Sequence, residues 1–238
     1  MTPESSLRVT QQLAAAAPPP EGPRPLFFYD LGDPESYLAA ERVSAGLPLV
    51  PEWVPIDSRD LSDQEAGADR PGRRVALEAL AARRGMQPLR WPAQWPTEHR
   101  RALLAGTWAR QLGRTVGFSL AAFRQAFADG GDLGDDETLL RAAAACGLEA
   151  DELLSAIARP VVGETLDAAT GAAAAAGVRR VPALAWEGEI FHGDSGVDVL
   201  ADMLETATRR AEAIAAALAG RDTRAPRGRA GDGDGTGR

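Results

Sequence analysis

The chain has 238 residues, enough for one large domain or two small ones with a sizeable core. All 26 basic side chains are arginine, and the absence of lysine excludes Schiff-base, Walker-type and class A β-lactamase mechanisms. A net charge of −8, with arginines interspersed among Asp and Glu, argues against nucleic-acid binding, and the single cysteine, Cys146, excludes a Cys-x-x-Cys pair and a thiolate zinc site.

Residues 1–24, with the run AAAAPPPEGPRP, read as a disordered leader. They lack the basic start and apolar core of a signal peptide, and no segment approaches the roughly 18 apolar residues of a membrane span. The expected compartment is the cytoplasm, without a membrane partner. Leu26 to Leu31 reads as a buried strand ended by Gly32. Asp33-Pro34 then starts a helix, Asp as N-cap and Pro in the first turn, running to about Gly46. Pro48 to Ile56 alternates as a second strand, and its prolines suggest an edge or irregular strand. From about Arg73 to Gly177 the pattern is helical. The predicted helices are Val75 to Arg84, Thr97 to Leu112, Ser119 to Ala128, Glu137 to Cys146, Ala150 to Ile157 and Val161 to Ala176. Val181 to Trp186 and Glu189 to His192 form a hairpin across Glu187-Gly188, followed by a helix from about Gly196 to Leu218. Residues 219–238, rich in Gly, Arg and Asp, read as a disordered tail.

Without the helical block the order is strand, helix, strand, helix, strand, strand, helix. That is an α/β sheet carrying one inserted helical lobe. The expected division is a sheet domain of residues 25–60 and 160–218 around a helical domain of 61–159.

This order resembles the thioredoxin-like fold of the DsbA superfamily, with its inserted helical domain. The stretch FFYDLGDPESYLAAERV is similar to the opening of kappa-class glutathione transferases and 2-hydroxychromene-2-carboxylate isomerases. There the strand leads into Ser-Pro-x-Ser, and in DsbA-type oxidoreductases into Cys-Pro-x-Cys; here the four positions are Asp33-Pro34-Glu35-Ser36. LRWPAQWPTEHRRAL, FRQAFADGGDLGDDETLLRAAAACGLEADEL and GVRRVPALAWEGEIFHGDSGVDVL resemble later stretches of the isomerases, in the same order. The resemblance covers about residues 25–207. It implies a cis bond between Val181 and Pro182, a ligand cleft between that loop and the first helix, and glutathione as the candidate cofactor. Since kappa-class relatives are dimeric, it also makes a homodimer an expectation.

The chain departs from the pattern where the family's chemistry sits. Asp33 takes the place of the nucleophilic Cys or glutathione-activating Ser. A carboxylate forms no mixed disulfide and repels a thiolate; unit charges roughly 4 Å apart cost about 4 kcal/mol at an effective dielectric near 20. Asp33 is therefore a helix cap or, with a raised pKa, a general base. Ser36 offers a hydroxyl one turn into the helix, to a ligand or to its own backbone. The family's closing Phe-x-Gly is followed by Asp-Arg, which binds glutathione's terminal groups; here Ser195-Gly196 stands there. The candidate catalytic residues are Asp33 and Ser36. The candidate ligand-binding residues are Pro34, Val181, Pro182, His192, Asp194 and Ser195, and no metal site is expected. Asp194-Ser195 also reads as the cap of the last helix, and Tyr29 and Tyr37 as core aromatics. Two functional readings follow: a glutathione-linked isomerase or transferase of a small organic acid, or a non-catalytic binder of a small molecule or peptide in the same cleft.

Overall fold

The computed structural model describes residues 24–63 and 72–222, with side chains to residue 216. Its elements are β1 (Leu26–Tyr29), α1 (Pro34–Gly46), β2 (Glu52–Pro55), a 3-10 turn (Ser58–Asp60), α2 (Arg73–Arg83), α3 (Arg100–Gln111), α4 (Thr115–Phe127), α5 (Asp136–Ala145), α6 (Ala150–Ile157), α7 (Pro160–Ala175), β3 (Ala183–Trp186), β4 (Glu189–His192) and α8 (Ser195–Asp222). The expected leader and tail lie outside the described residues, apart from Arg24 and the last turn of α8.

The four strands form one mixed sheet in the order β2-β1-β3-β4. β1 runs parallel to β2 and antiparallel to β3, and β4 closes the β3 hairpin. β2 is the edge strand its prolines suggest. Alternation along the strands gives the sheet two apolar faces. Phe27, Tyr29, Trp53 and Leu184 point into the larger core, shared with α1, the helical block and α8. Phe28, Val54 and Ala183 point the other way, onto Ala173 of α7 and onto Val178 and Val181. Between β2 and α7, helices α2 to α6 form the helical insertion.

Tyr29 joins sheet to insertion. Its ring stacks on Phe27 and packs edge-on against Trp53, and its hydroxyl lies 2.6 Å from Ser119 Oγ and 3.2 Å from Thr115 Oγ1 of α4. Burial pushes its pKa up to about 12. Tyr37 packs against Phe123 and Phe127, so both tyrosines are core aromatics. Cys146, at the C-cap of α5, is half-buried. Val181-Pro182 is cis, as the resemblance implied; Trp95-Pro96 is cis as well.

Candidate functional site

The first turn of α1 is built by local chemistry. β1 ends at Tyr29, and the Asp33 amide donates to the Asp30 carbonyl (3.0 Å), turning the chain. Asp33 keeps extended backbone (φ −100°, ψ 116°), and its Oδ2 accepts from the Ser36 amide at 2.7 Å. Pro34 occupies the first turn, where its missing N–H costs nothing. Asp33 is thus the N-cap of α1.

Asp33 is also an ion-pair partner. Arg73, the first residue of α2, places Nη2 2.8 Å from Asp33 Oδ1. The carboxyl is only 5 % exposed. Burial pushes it up to about 7, and Arg73 opposes that rise. Ser36 is fully buried. Its Oγ faces the Asp30 amide at 3.4 Å, inside the turn rather than toward a cleft.

Beneath the turn lies a second buried pair. His99, the N-cap of α3, brings Nε2 within 2.7 Å of Asp30 Oδ1, close but not aligned as a hydrogen bond. Its Nδ1 lies 2.8 Å from the Thr97 carbonyl. Both ring nitrogens face acceptors, which favours the imidazolium. Asp30 holds His99 up at about 9 against burial, and His99 with the Ser58 amide holds Asp30 down at about 2. Asp30 also accepts from the Gly32 and Ser58 amides, each at 2.8 Å. A Cβ on Gly32 would lie 2.4 Å from the His99 ring, so only glycine fits there.

The far side of the site comes from the cis-proline loop and the start of α8. The Gly193 amide donates to the Pro182 carbonyl at 2.7 Å. The Asp194 amide donates to Glu35 Oε1 at 3.0 Å, tying this loop to the first turn of α1. The Asp194 carboxylate does not cap α8 as the sequence suggests. It accepts from Arg42 Nη1 (2.7 Å) and from Arg84 Nε (3.0 Å) and Nη2 (2.7 Å). Arg42 and Arg84 also hold Asp198. A cleft of about 450 Å³ opens here, lined by Glu35, Leu80, Arg83, Arg84, Arg180, Gly193, Asp194 and Ser195.

Of the sequence-derived candidates, only Asp194 and Ser195 line this cleft. Asp33 and Ser36 sit behind it in the capped turn. Val181 is buried among Phe28, Val54 and Ala183, so its side chain belongs to the core. His192 lies apart, its Nε2 accepting from the Arg179 amide at 3.1 Å; burial and the neighbouring Arg180 and Arg179 lower its pKa. Glu35, Arg42, Arg73, Arg84 and the Asp30–His99 pair are not legible in the sequence. Their partners lie up to 159 positions away in sequence, so spacing carries no sign of them. Among the described residues no group of three His, Cys, Asp or Glu could hold a metal ion, and no helix is long and apolar enough to cross a membrane.

Residues 26–205 match the model of the DSBA-like thioredoxin domain. The chain belongs to the DsbA-like thioredoxin family. No curated protein sequence matches it. A 2-hydroxychromene-2-carboxylate isomerase structure is similar in fold, with 21 % identity, a TM-score of 0.67, and 82 % of this chain and 99 % of that one covered. A probable DsbA oxidoreductase from Streptomyces coelicolor is similar too, with 20 % identity, a TM-score of 0.63, and coverages of 77 % and 89 %. This DsbA-like chain has no Cys-x-x-Cys pair, and Cys146 is its lone thiol.

Proposed function

We propose that this protein is a ligand-binding member of the DsbA-like family that works without thiol chemistry. It holds a small molecule or an extended peptide in the cleft between the first turn of α1 and the cis-Pro182 loop. The Asp33–Arg73 pair carries the reading. At the position of the family's reactive group stands a carboxyl engaged by an amide on one oxygen and a guanidinium on the other. It has no sulfur with which to form a mixed disulfide. The residues do not suit glutathione's thiolate either, because Asp33 repels it when ionised and the Ser36 hydroxyl is buried inside the turn.

A second reading keeps one supporting observation. Burial brings Asp33 close to neutrality, at about 7, where a carboxyl exchanges protons efficiently. That favours a proton-shifting isomerase of a small organic acid, with Asp33 as the acid or base. Thermal unfolding with and without glutathione separates the binder from a glutathione-linked form of that isomerase. A ligand at 100 times its Kd stabilises by about 2.7 kcal/mol. The binder reading expects no shift with millimolar glutathione in the native chain and a gained shift in Asp33→Ser. Stabilisation of the native chain by glutathione would transfer the case to the glutathione-linked enzyme.

A further inference from the structure

The cleft beside Asp194 has an unbalanced charge. Its lining holds three arginines against two carboxylates, Glu35 and Asp194. Both carboxylates are already engaged. Asp194 is held by Arg42 and Arg84, and Glu35 accepts from the Asp194 amide. Arg84 is spent on Asp194 and Asp198. Arg83 and Arg180 remain, and among the described residues neither has a carboxylate or hydrogen-bond partner. They come from different elements, Arg83 from the end of α2 and Arg180 from the segment leading into cis-Pro182.

Gly193 keeps the floor of the cleft open. Its φ of +80° suits glycine, and a Cβ there would sit 3.0 Å from Glu35 Oε1 and 3.4 Å from Arg180 Nη2. The guanidinium of Arg180 therefore lies against bare backbone. Ser195, at the start of α8, adds a hydroxyl and the positive end of a long helix. A volume of about 450 Å³ is in the range of small-molecule sites.

We infer that this cleft binds a small oxyanion, a carboxylate or phosphate group of a low-molecular-weight ligand, between the guanidiniums of Arg83 and Arg180. This rests on the ligand-binding reading above and supplies its chemical class. Planar guanidiniums recognise carboxylate and phosphate by paired, charge-assisted hydrogen bonds. A cation would meet three arginines and two occupied carboxylates, and a neutral ligand would leave the two guanidiniums unanswered.

The test is titration calorimetry of the full chain with succinate, inorganic phosphate and a capped, uncharged extended peptide, at low and high salt. The expected result is binding of succinate or phosphate that weakens with salt. Arg83→Gln and Arg180→Gln should each weaken it about tenfold or more, equivalent to about 1.4 kcal/mol. Their unfolding temperatures without ligand should stay near that of the native chain, because among the described residues neither side chain has a partner to lose. Which of the two probes binds tells a carboxylate ligand from a phosphate ligand. Absence of binding by both overturns the inference, as does binding that both variants leave unchanged. Peptide binding without oxyanion binding overturns it while leaving the ligand-binding reading intact; failure of all three probes sinks both.

Discussion

Asp33 meets two opposed demands. Capping and Arg73 favour its ionised form, while burial disfavours it, and burial dominates at about 7. The sign for stability follows. The folded value lies above the ordinary carboxyl value of about 4, so the contribution is full below pH about 4 and is lost as pH rises through about 7. Asp33→Asn keeps a good cap and removes the titration. Denaturant unfolding between about pH 5 and about pH 8 should show the native chain losing stability relative to the variant. Parallel pH profiles would contradict the raised value. The Asp30–His99 pair behaves differently. His99 stabilises fully below its ordinary 6.5 and loses this as pH rises through about 9, whereas Asp30 contributes above 3.8 and loses this as pH falls through about 2. The pair therefore holds across the neutral range. His99→Gln leaves a buried carboxylate without its cation, an expected loss of about 3–5 kcal/mol in denaturant unfolding. Gly32→Ala should cost about 1–3 kcal/mol through its collision with the same ring. A near-native stability in either variant would show that the turn tolerates what its packing forbids.

Among the α-helices, α2 has the fewest buried residues. Only Leu77 and Ala81 are buried on it, and its N-cap, Gly72, offers no side-chain bond. Ion pairs at its two ends set its place instead, Arg73 on Asp33 and Arg84 on Asp194 and Asp198. α2 thus spans from the capped turn of α1 to the start of α8. Arg84→Gln is expected to lower stability by about 1 kcal/mol, since Arg42 still serves Asp194 and the pair with Asp198 is exposed. Hydrogen exchange should quicken across residues 73–83 and stay unchanged across α3; a uniform change would place α2 in the global folding unit. The element order was legible because its signals are local. Asp33-Pro34 starts α1, Glu187-Gly188 turns the hairpin, and alternation marks the strands. Boundaries slipped where tertiary contacts intervene. α3 begins at Arg100 rather than Thr97, because His99 leaves helical backbone as its ring packs between Asp30 and the Thr97 carbonyl. α4 begins at Thr115 rather than Ser119, with Phe118 buried and Thr115 near Tyr29 outweighing the weak helix propensity of Thr115-Val116-Gly117.

At the scale of the whole molecule, the sheet and the helical insertion divide what the family joins. The fold could be read from four stretches in register, and the missing cysteine pair from the single Cys146, because both are properties of residue order. The arginine framework could not, because Arg42, Arg73 and Arg84 meet their carboxylates only once α1, α2 and the start of α8 pack together. The remaining thiol sits in the insertion. Cys146 donates to the Ala143 carbonyl at 3.2 Å, and its nearest neighbours include Gly117 and Arg114 rather than the residues around Asp33. Burial raises its pKa above the ordinary thiol value, so the nucleophilic thiolate is scarce at neutral pH. A dithiol–disulfide cycle needs a second sulfur to resolve the mixed disulfide, and no second cysteine exists. The chain should therefore fail to turn over insulin disulfides with a thiol reductant. Cys146→Ser should leave oxyanion binding unchanged and alter unfolding by no more than about 0.5 kcal/mol. Turnover that Cys146→Ser abolishes would move the chemistry out of the cleft and into the helical insertion, against the electrostatics of both places.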